Sequence, residues 1–76
     1  MKNKETEIRE TMRLNIIAKR KALNLTQTDL ANLVNLKKNT IASWEQGISS
    51  PDIDTIVELL KLFNMSFYEF TGIEEQ

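Results

Sequence analysis

Apolar positions along this chain recur at intervals of three and four, and no stretch alternates with period two. That spacing predicts helices throughout and no strand. The first helix is predicted over residues 6–23, with Met12, Ile16 and Leu23 on its buried face and Ile8, Leu14 and Ile17 as further apolar positions. A second is predicted over 27–34 and a third over 38–46, ending at Gly47. Asp52 caps a fourth, which carries the stripe Ile53, Ile56, Val57, Leu60 and Phe63. The fifth covers 67–71 and stops at Gly72, and Phe63, Phe67 and Phe70 are assigned to the core. Residues 1–5 and 74–76 are polar and expected to fray. The core expected from the pattern is Ile16, Leu30, Ala31, Val34, Ile41, Trp44, Ile56 and Leu60.

The joints between helices repeat one device. Leu23-Asn24-Leu25-Thr26, Val34-Asn35-Leu36-Lys37 and Phe63-Asn64-Met65-Ser66 each place an Asn between two apolar residues where a helical pattern ends. Asn tolerates the left-handed conformation that closes a helix, and the next apolar residue can fold back on the last turn. Thr26 with Asp29, and Ser66 with Glu69, then have the spacing of capping boxes that start the next helix. The connections are therefore tight.

Composition narrows the chemistry. Seventy-six residues make one small domain spanning the chain, and it contains neither Cys nor His. Disulfides, Cys nucleophiles, imidazole acid–base catalysis and nearly all zinc sites are excluded. Asp52 and Asp54 resemble the opening of a calcium loop, but the remaining oxygen ligands do not follow, so they read as acids at a helix start. No metal, cofactor or enzymatic activity is expected. No apolar run approaches a membrane span and no secretory leader is visible, which makes the cytoplasm the expected location.

Net charge is −1, which on its face disfavours a nucleic-acid partner. The total conceals an asymmetry. Residues 1–38 hold nine basic and four acidic groups, whereas residues 39–76 hold one basic and seven acidic. A basic face can thus be offered to a polyanion by a nearly neutral molecule.

The segment 27–44 specifies two helices crossing over a tight turn. Leu30, Val34, Leu36, Ile41 and Trp44 are apolar, Ala31 is small where the helices meet, and Asn35 can take a positive φ in the turn. This is the physical requirement of a helix-turn-helix. Arg20, Leu25-Thr26-Gln27, Leu30-Ala31, Ile41, Trp44-Glu45, Gly47 and Pro51 together resemble the signature of Cro/C1-type (XRE-like) regulators over about residues 12–70. The resemblance implies an all-α, five-helix, lambda repressor-like domain. It further implies binding to a near-palindromic operator as a homodimer, with the third helix in the major groove and transcription regulated, in the repressor sense. Asn24 and Asn35 stand where the family favours Gly, and Lys37 where Ser or Thr usually caps the recognition helix.

Roles follow for particular side chains. Lys38, Asn39, Ala42 and Ser43 form the expected base-contacting set: Lys suits guanine O6/N7, Asn suits adenine, and Ala can meet a thymine methyl. Lys38 is as well suited to a phosphate. Gln27 at the start of the second helix, Lys37, Thr40, Ser49 and Ser50 are expected on phosphates. The family resemblance makes Arg20 and Glu45 a structural ion pair, and Tyr68 and Ile73 are candidates for a dimer contact. The alternative function is a protein-interaction module on the same fold, antitoxin-like or anti-regulator-like, and a protein partner could also regulate occupancy. The polar character of 38, 39, 42 and 43 favours DNA.

Overall fold

The computed structural model describes residues 4–74, and these form five helices. They are α1 (Lys4–Ala22), α2 (Gln27–Leu33), α3 (Lys38–Glu45), α4 (Ile53–Phe63) and α5 (Phe67–Thr71). No strand occurs among the described residues. Residues 1–3, 75 and 76, for which fraying is expected, lie outside the described set. Lys4 and Glu5 do not fray: they open α1, whose first turns gain an Arg9–Glu5 pair at 3.3 Å on adjacent turns.

Each short joint is held by the same pair of backbone bonds. After α1, Leu25 N–H donates to Arg20 O and Asn24 N–H to Lys21 O; after α2, Leu36 donates to Ala31 and Asn35 to Asn32. After α4, Met65 donates to Leu60 and Asn64 to Lys61. These are Schellman closures, and Asn24, Asn35 and Asn64 sit in the left-handed region at φ 59, 56 and 54°. Leu25, Leu36 and Met65 then pack against the core. At the starts, Thr26 with Asp29 and Ser66 with Glu69 form reciprocal capping boxes, and Asp52 caps α4 through Thr55 N–H.

The core comprises Met12, Ile16, Leu30, Ala31, Val34, Ile41, Trp44, Ile56, Leu59, Phe63 and Phe70. It is shared by all five helices. α5 is tied to α1 by Asn15, whose amide donates to Glu69 O and Phe70 O at 3.2 and 3.0 Å. Beyond α5 the chain passes so close to α1 that a Cβ on Gly72 would lie 3.1 Å from Thr11 Cγ2, at a φ of +76°. A side chain there would be strained by the positive φ and would need Thr11 to give way by a few tenths of an ångström.

Three expectations from the pattern fail, each for a local reason. Leu23 lies beyond the last turn of α1 and is 47% exposed; the closure at Asn24 turns Leu25 inward in its place. Leu14 is also exposed. In α4 the fully buried residue is Leu59, while Leu60 only flanks the core and Ile53 and Val57 face solvent. The wheel of α4 is apolar over more than half its circumference, so the stripe read from the sequence was rotated toward its free side. Phe67 is 38% exposed, because as first residue of a five-residue helix it leaves Phe70 and Thr71 to point inward.

This rotation has a measurable consequence. Leu59→Ala should lose about 3 kcal/mol of unfolding free energy, the cost of a cavity at a sealed site, and Leu60→Ala about 1 kcal/mol. Urea titration followed by Trp44 fluorescence distinguishes them. Equal losses would mean that the burial order in α4 is wrong.

Candidate nucleic-acid interface

α2 and α3 are joined by four residues, Val34 to Lys37, and meet over Leu30, Ala31, Val34, Ile41 and Trp44, all buried. Ala31 is 1% exposed, so its methyl occupies the crossing, and a larger side chain would push the helices apart. This geometry leaves one side of α3 free. Lys38 and Asn39 are exposed on it, with Thr40, Ala42 and Ser43 half-buried alongside.

Lys37 is the N-cap residue of α3 and makes no side-chain cap hydrogen bond. The first N–H groups of the helix therefore lack an intramolecular side-chain acceptor, and the positive end of the helix faces outward next to two lysines. Neither Lys37 nor Lys38 forms an ion pair with another described residue. Ser49 and Ser50 are exposed in the loop after α3, at the rim of a cleft of about 240 Å³ that Arg9 and Arg13 also line.

The far end of α3 is fixed by a cluster around Glu45. Arg20 Nε and Nη2 donate to the two carboxylate oxygens at 2.7 and 3.0 Å, a two-pronged pair whose side chains are 12% and 8% exposed. A third guanidinium N–H reaches Leu25 O at 2.8 Å, so Arg20 also holds the turn into α2. Burial works against the Glu45 carboxylate, but the hydrogen bonds from Arg20 and Gln27 and the charges of Arg20 and Lys21 outweigh it. They hold its pKa below the ordinary glutamate value.

The structure revises the place of Gln27. Its amide Nε2 donates to Glu45 Oε1 at 3.1 Å, so the group assigned to a phosphate is engaged inside the protein. Tying α2 to the end of α3 is the role it performs here. Arg13 is a participant that sequence reasoning missed: it pairs with Glu10 at 2.6 Å and donates to the backbone carbonyl of Glu45 at 3.2 Å. Arg13 and Arg20 are seven residues apart, two helical turns, so both reach the end of α3 from one face of α1. That spacing was present in the sequence. Of the remaining candidates, Tyr68 is exposed and stacks edge to face on Phe67, whereas Ile73 is half-buried.

Among the described residues no group of His, Cys, Asp or Glu is placed to hold a metal, and no helix is long and apolar enough to cross a membrane.

Two short helices joined by a four-residue turn over a shared apolar seam, the second clamped at one end and bare on a polar side, define a helix-turn-helix domain. A family model described as helix-turn-helix matches residues 16–70, and the chain belongs to that family, of the Cro/C1 type. The chain is 33% identical over 58 residues to the antitoxin PezA of Streptococcus pneumoniae, covering 76% of this chain and 37% of that protein. It is 31% identical over 52 residues to RstR, the cryptic phage CTXphi transcriptional repressor of Vibrio cholerae, covering 68% and 47%. It is 30% identical over 56 residues to ImmR, a helix-turn-helix-type transcriptional regulator of Bacillus subtilis, covering 74% and 44%. The chain thus spans less than half the length of these curated relatives. No solved structure matches it significantly.

The Glu45 cluster makes stability pH-dependent with a definite sign. A carboxylate whose folded-state pKa is lowered contributes its full stability above the unfolded value, roughly pH 4.3, and loses it as pH falls through the folded value. Asp29, Asp52 and Glu69, each held low by the backbone N–H it caps, act in the same direction. Glu45→Gln should therefore cost about 1–3 kcal/mol near neutral pH and progressively less in the acid range. Denaturant titrations at pH 7 and pH 3 measure both; a penalty that is equal at the two values would show that the carboxylate charge is irrelevant.

Proposed function

We propose that this domain is a sequence-specific double-stranded DNA-binding regulator of transcription, a repressor, that inserts α3 into the major groove. The observation that carries the proposal is the free side of α3: Lys38 and Asn39 exposed, an uncapped N-terminus at Lys37, and the opposite side immobilised by the core and the Glu45 cluster. Kinship to RstR and ImmR, named a transcriptional repressor and a transcriptional regulator, supports the same reading.

On this reading Lys38, Asn39, Ala42 and Ser43 meet base edges, Asn39 through the two-point contact its amide can make to adenine. Lys37, Thr40, Ser49 and Ser50 meet phosphates. Gln27 contributes its N-terminal backbone N–H, while its side chain stays on Glu45. Two copies place their recognition helices about one DNA turn apart on a near-palindromic site. The antitoxin name of one relative supports a second layer, in which a protein partner controls occupancy.

Selection of binding sites from random duplexes should return a two-fold-symmetric motif whose affinity falls steeply with salt. An unenriched pool would refute the proposal. Asn39→Ala should relax preference at one base-pair position per half-site with folding intact, whereas a uniform loss over all sequences would assign Asn39 to the backbone. Lys37→Ser separates stability from binding: a restored cap should raise stability by about 1 kcal/mol while lowering DNA affinity and reducing the salt slope by about one. If affinity were unchanged, Lys37 would not touch phosphate.

A further inference from the structure

The family match begins at residue 16, whereas α1 begins at Lys4, so about three turns of α1 stand outside the matched segment. Arg13 belongs to those turns, and it completes the far end of α3. The backbone closes that end first. Gln46 N–H donates to Ala42 O, Gly47 N–H to Trp44 O and Ile48 N–H to Ser43 O, with Gly47 left-handed at a φ of 78°. None of these bonds ends on Glu45 O, the last carbonyl of the helix. Arg13 Nη1 reaches it at 3.2 Å. A second grip sets the guanidinium, because its Nε and Nη2 donate to the two carboxylate oxygens of Glu10 at 3.0 and 2.6 Å. The stem of Arg13 lies against the loop: a Cβ on Gly47 would be 3.6 Å from its Cδ.

We infer that Arg13, braced by Glu10, positions the loop after α3, and with it the hydroxyls of Ser49 and Ser50, for contact with the DNA backbone, a role that rests on the DNA-binding reading. The loop has two fixed points. Pro51 is buried at one end, and at the other Ile48 N–H and Ser49 N–H both donate to Ser43 O, at 2.9 and 3.4 Å. Ser49 and Ser50 are exposed between these points, so the backbone decides where the two hydroxyls stand. A cation at this place also meets the negative end of the α3 dipole. Its planar fork allows one side chain to hold Glu10 and the carbonyl together.

Arg13 and Arg20 divide the task. Arg20 and Gln27 hold the Glu45 carboxylate and, with the core, keep α3 seated. Arg13 holds the main chain where the helix gives way to the loop. Its loss therefore leaves Lys38 and Asn39, at the opposite end of α3, in place and loosens the loop. Glu10 and Arg13 supply a support that the matched segment does not itself contain.

Two measurements test this. In the free protein, Arg13→Ala should lower the hydrogen-exchange protection of the Ile48 and Ser49 N–H groups about tenfold and leave that of Ile41 unchanged. On duplex DNA, Arg13→Ala should weaken binding about tenfold for every sequence alike, with the preferred motif and the salt slope unchanged, since serine hydroxyls displace no counterion. Glu10→Ala should weaken binding about threefold, and the double variant should bind no worse than Arg13→Ala, because Glu10 acts only through Arg13. Arg13→Lys keeps the charge and the stem but not the fork; it should show the same signs, and it serves where alanine fails to fold. Circular dichroism checks that each variant is folded. A direct phosphate contact by Arg13 gives the opposite pattern: removal of the competing Glu10 carboxylate would tighten DNA binding, and Arg13→Ala would lower the salt slope by about one. Either result overturns the inference, as does unchanged exchange at Ile48 and Ser49 in the Arg13 variants. Should exchange respond while no duplex is bound specifically, the DNA reading fails and the hold of Arg13 on the loop stands.

Discussion

The carboxylate of Glu45 is the point at which three helices are referred to one another. It stands at the last residue of α3 and is gripped by two nitrogens of Arg20 from α1 and by the amide of Gln27 from the first turn of α2. The third prong of Arg20 fixes the turn that leads into α2, and Arg13 takes the backbone carbonyl of the same Glu45. A helix of eight residues has little stability of its own and no preferred orientation without packing. The core sets which side of α3 faces inward. The cluster sets its tilt and its position along its axis, which apolar contacts, being non-directional, determine poorly. The proposed presentation of Lys38 and Asn39 to DNA in a constant geometry would depend on that second kind of constraint.

Much of this was legible from the chain. The five helices, the asparagine closures and the capping boxes are encoded within four to six residues each, so local rules suffice to find them. The helix-turn-helix could also be found, because Ala31, Asn35 and the apolar residues from Leu30 to Trp44 meet a demanding steric specification together. What escaped was rotational phase and polar geometry. α4 is apolar over so much of its circumference that period alone could not decide between Leu59 and Leu60. Leu23 was misplaced since the helix ends one residue before it, a boundary set by Asn24 and not by the apolar period. The engagement of Gln27 with Glu45 spans eighteen residues and two helix axes. No one-dimensional pattern encodes such a contact.

Charge is organised by the same scaffold. Lys37 and Lys38 lie at the start of α3, whereas Asp52, Asp54, Glu58 and Glu69 belong to α4 and α5 and their caps. Three of the acids are consumed locally as helix caps, at Asp29, Asp52 and Glu69, and a fourth is neutralised at Glu45. Of the seven acids in residues 39–76, Glu45, Asp52 and Glu69 are thus committed to a guanidinium and to backbone N–H groups. The positive residues 37 and 38 have no such commitment and remain available to an external anion.

The three left-handed asparagines bear on how this sequence can drift. At Asn24, Asn35 and Asn64 the backbone occupies a region that a β-branched residue enters only with strain. Codon changes at these positions are therefore filtered before any question of surface or function arises, with glycine the freest substitute and aspartate next. Each closure also commits the following residue, Leu25, Leu36 or Met65, to the core. A replacement that straightened one joint would extend a helix by a turn, swing its successor and release an apolar side chain in one step. The three asparagine-closed joints consequently leave almost no tolerance for insertions, so that length variation between helices is channelled to the longer, exposed connection between α3 and α4.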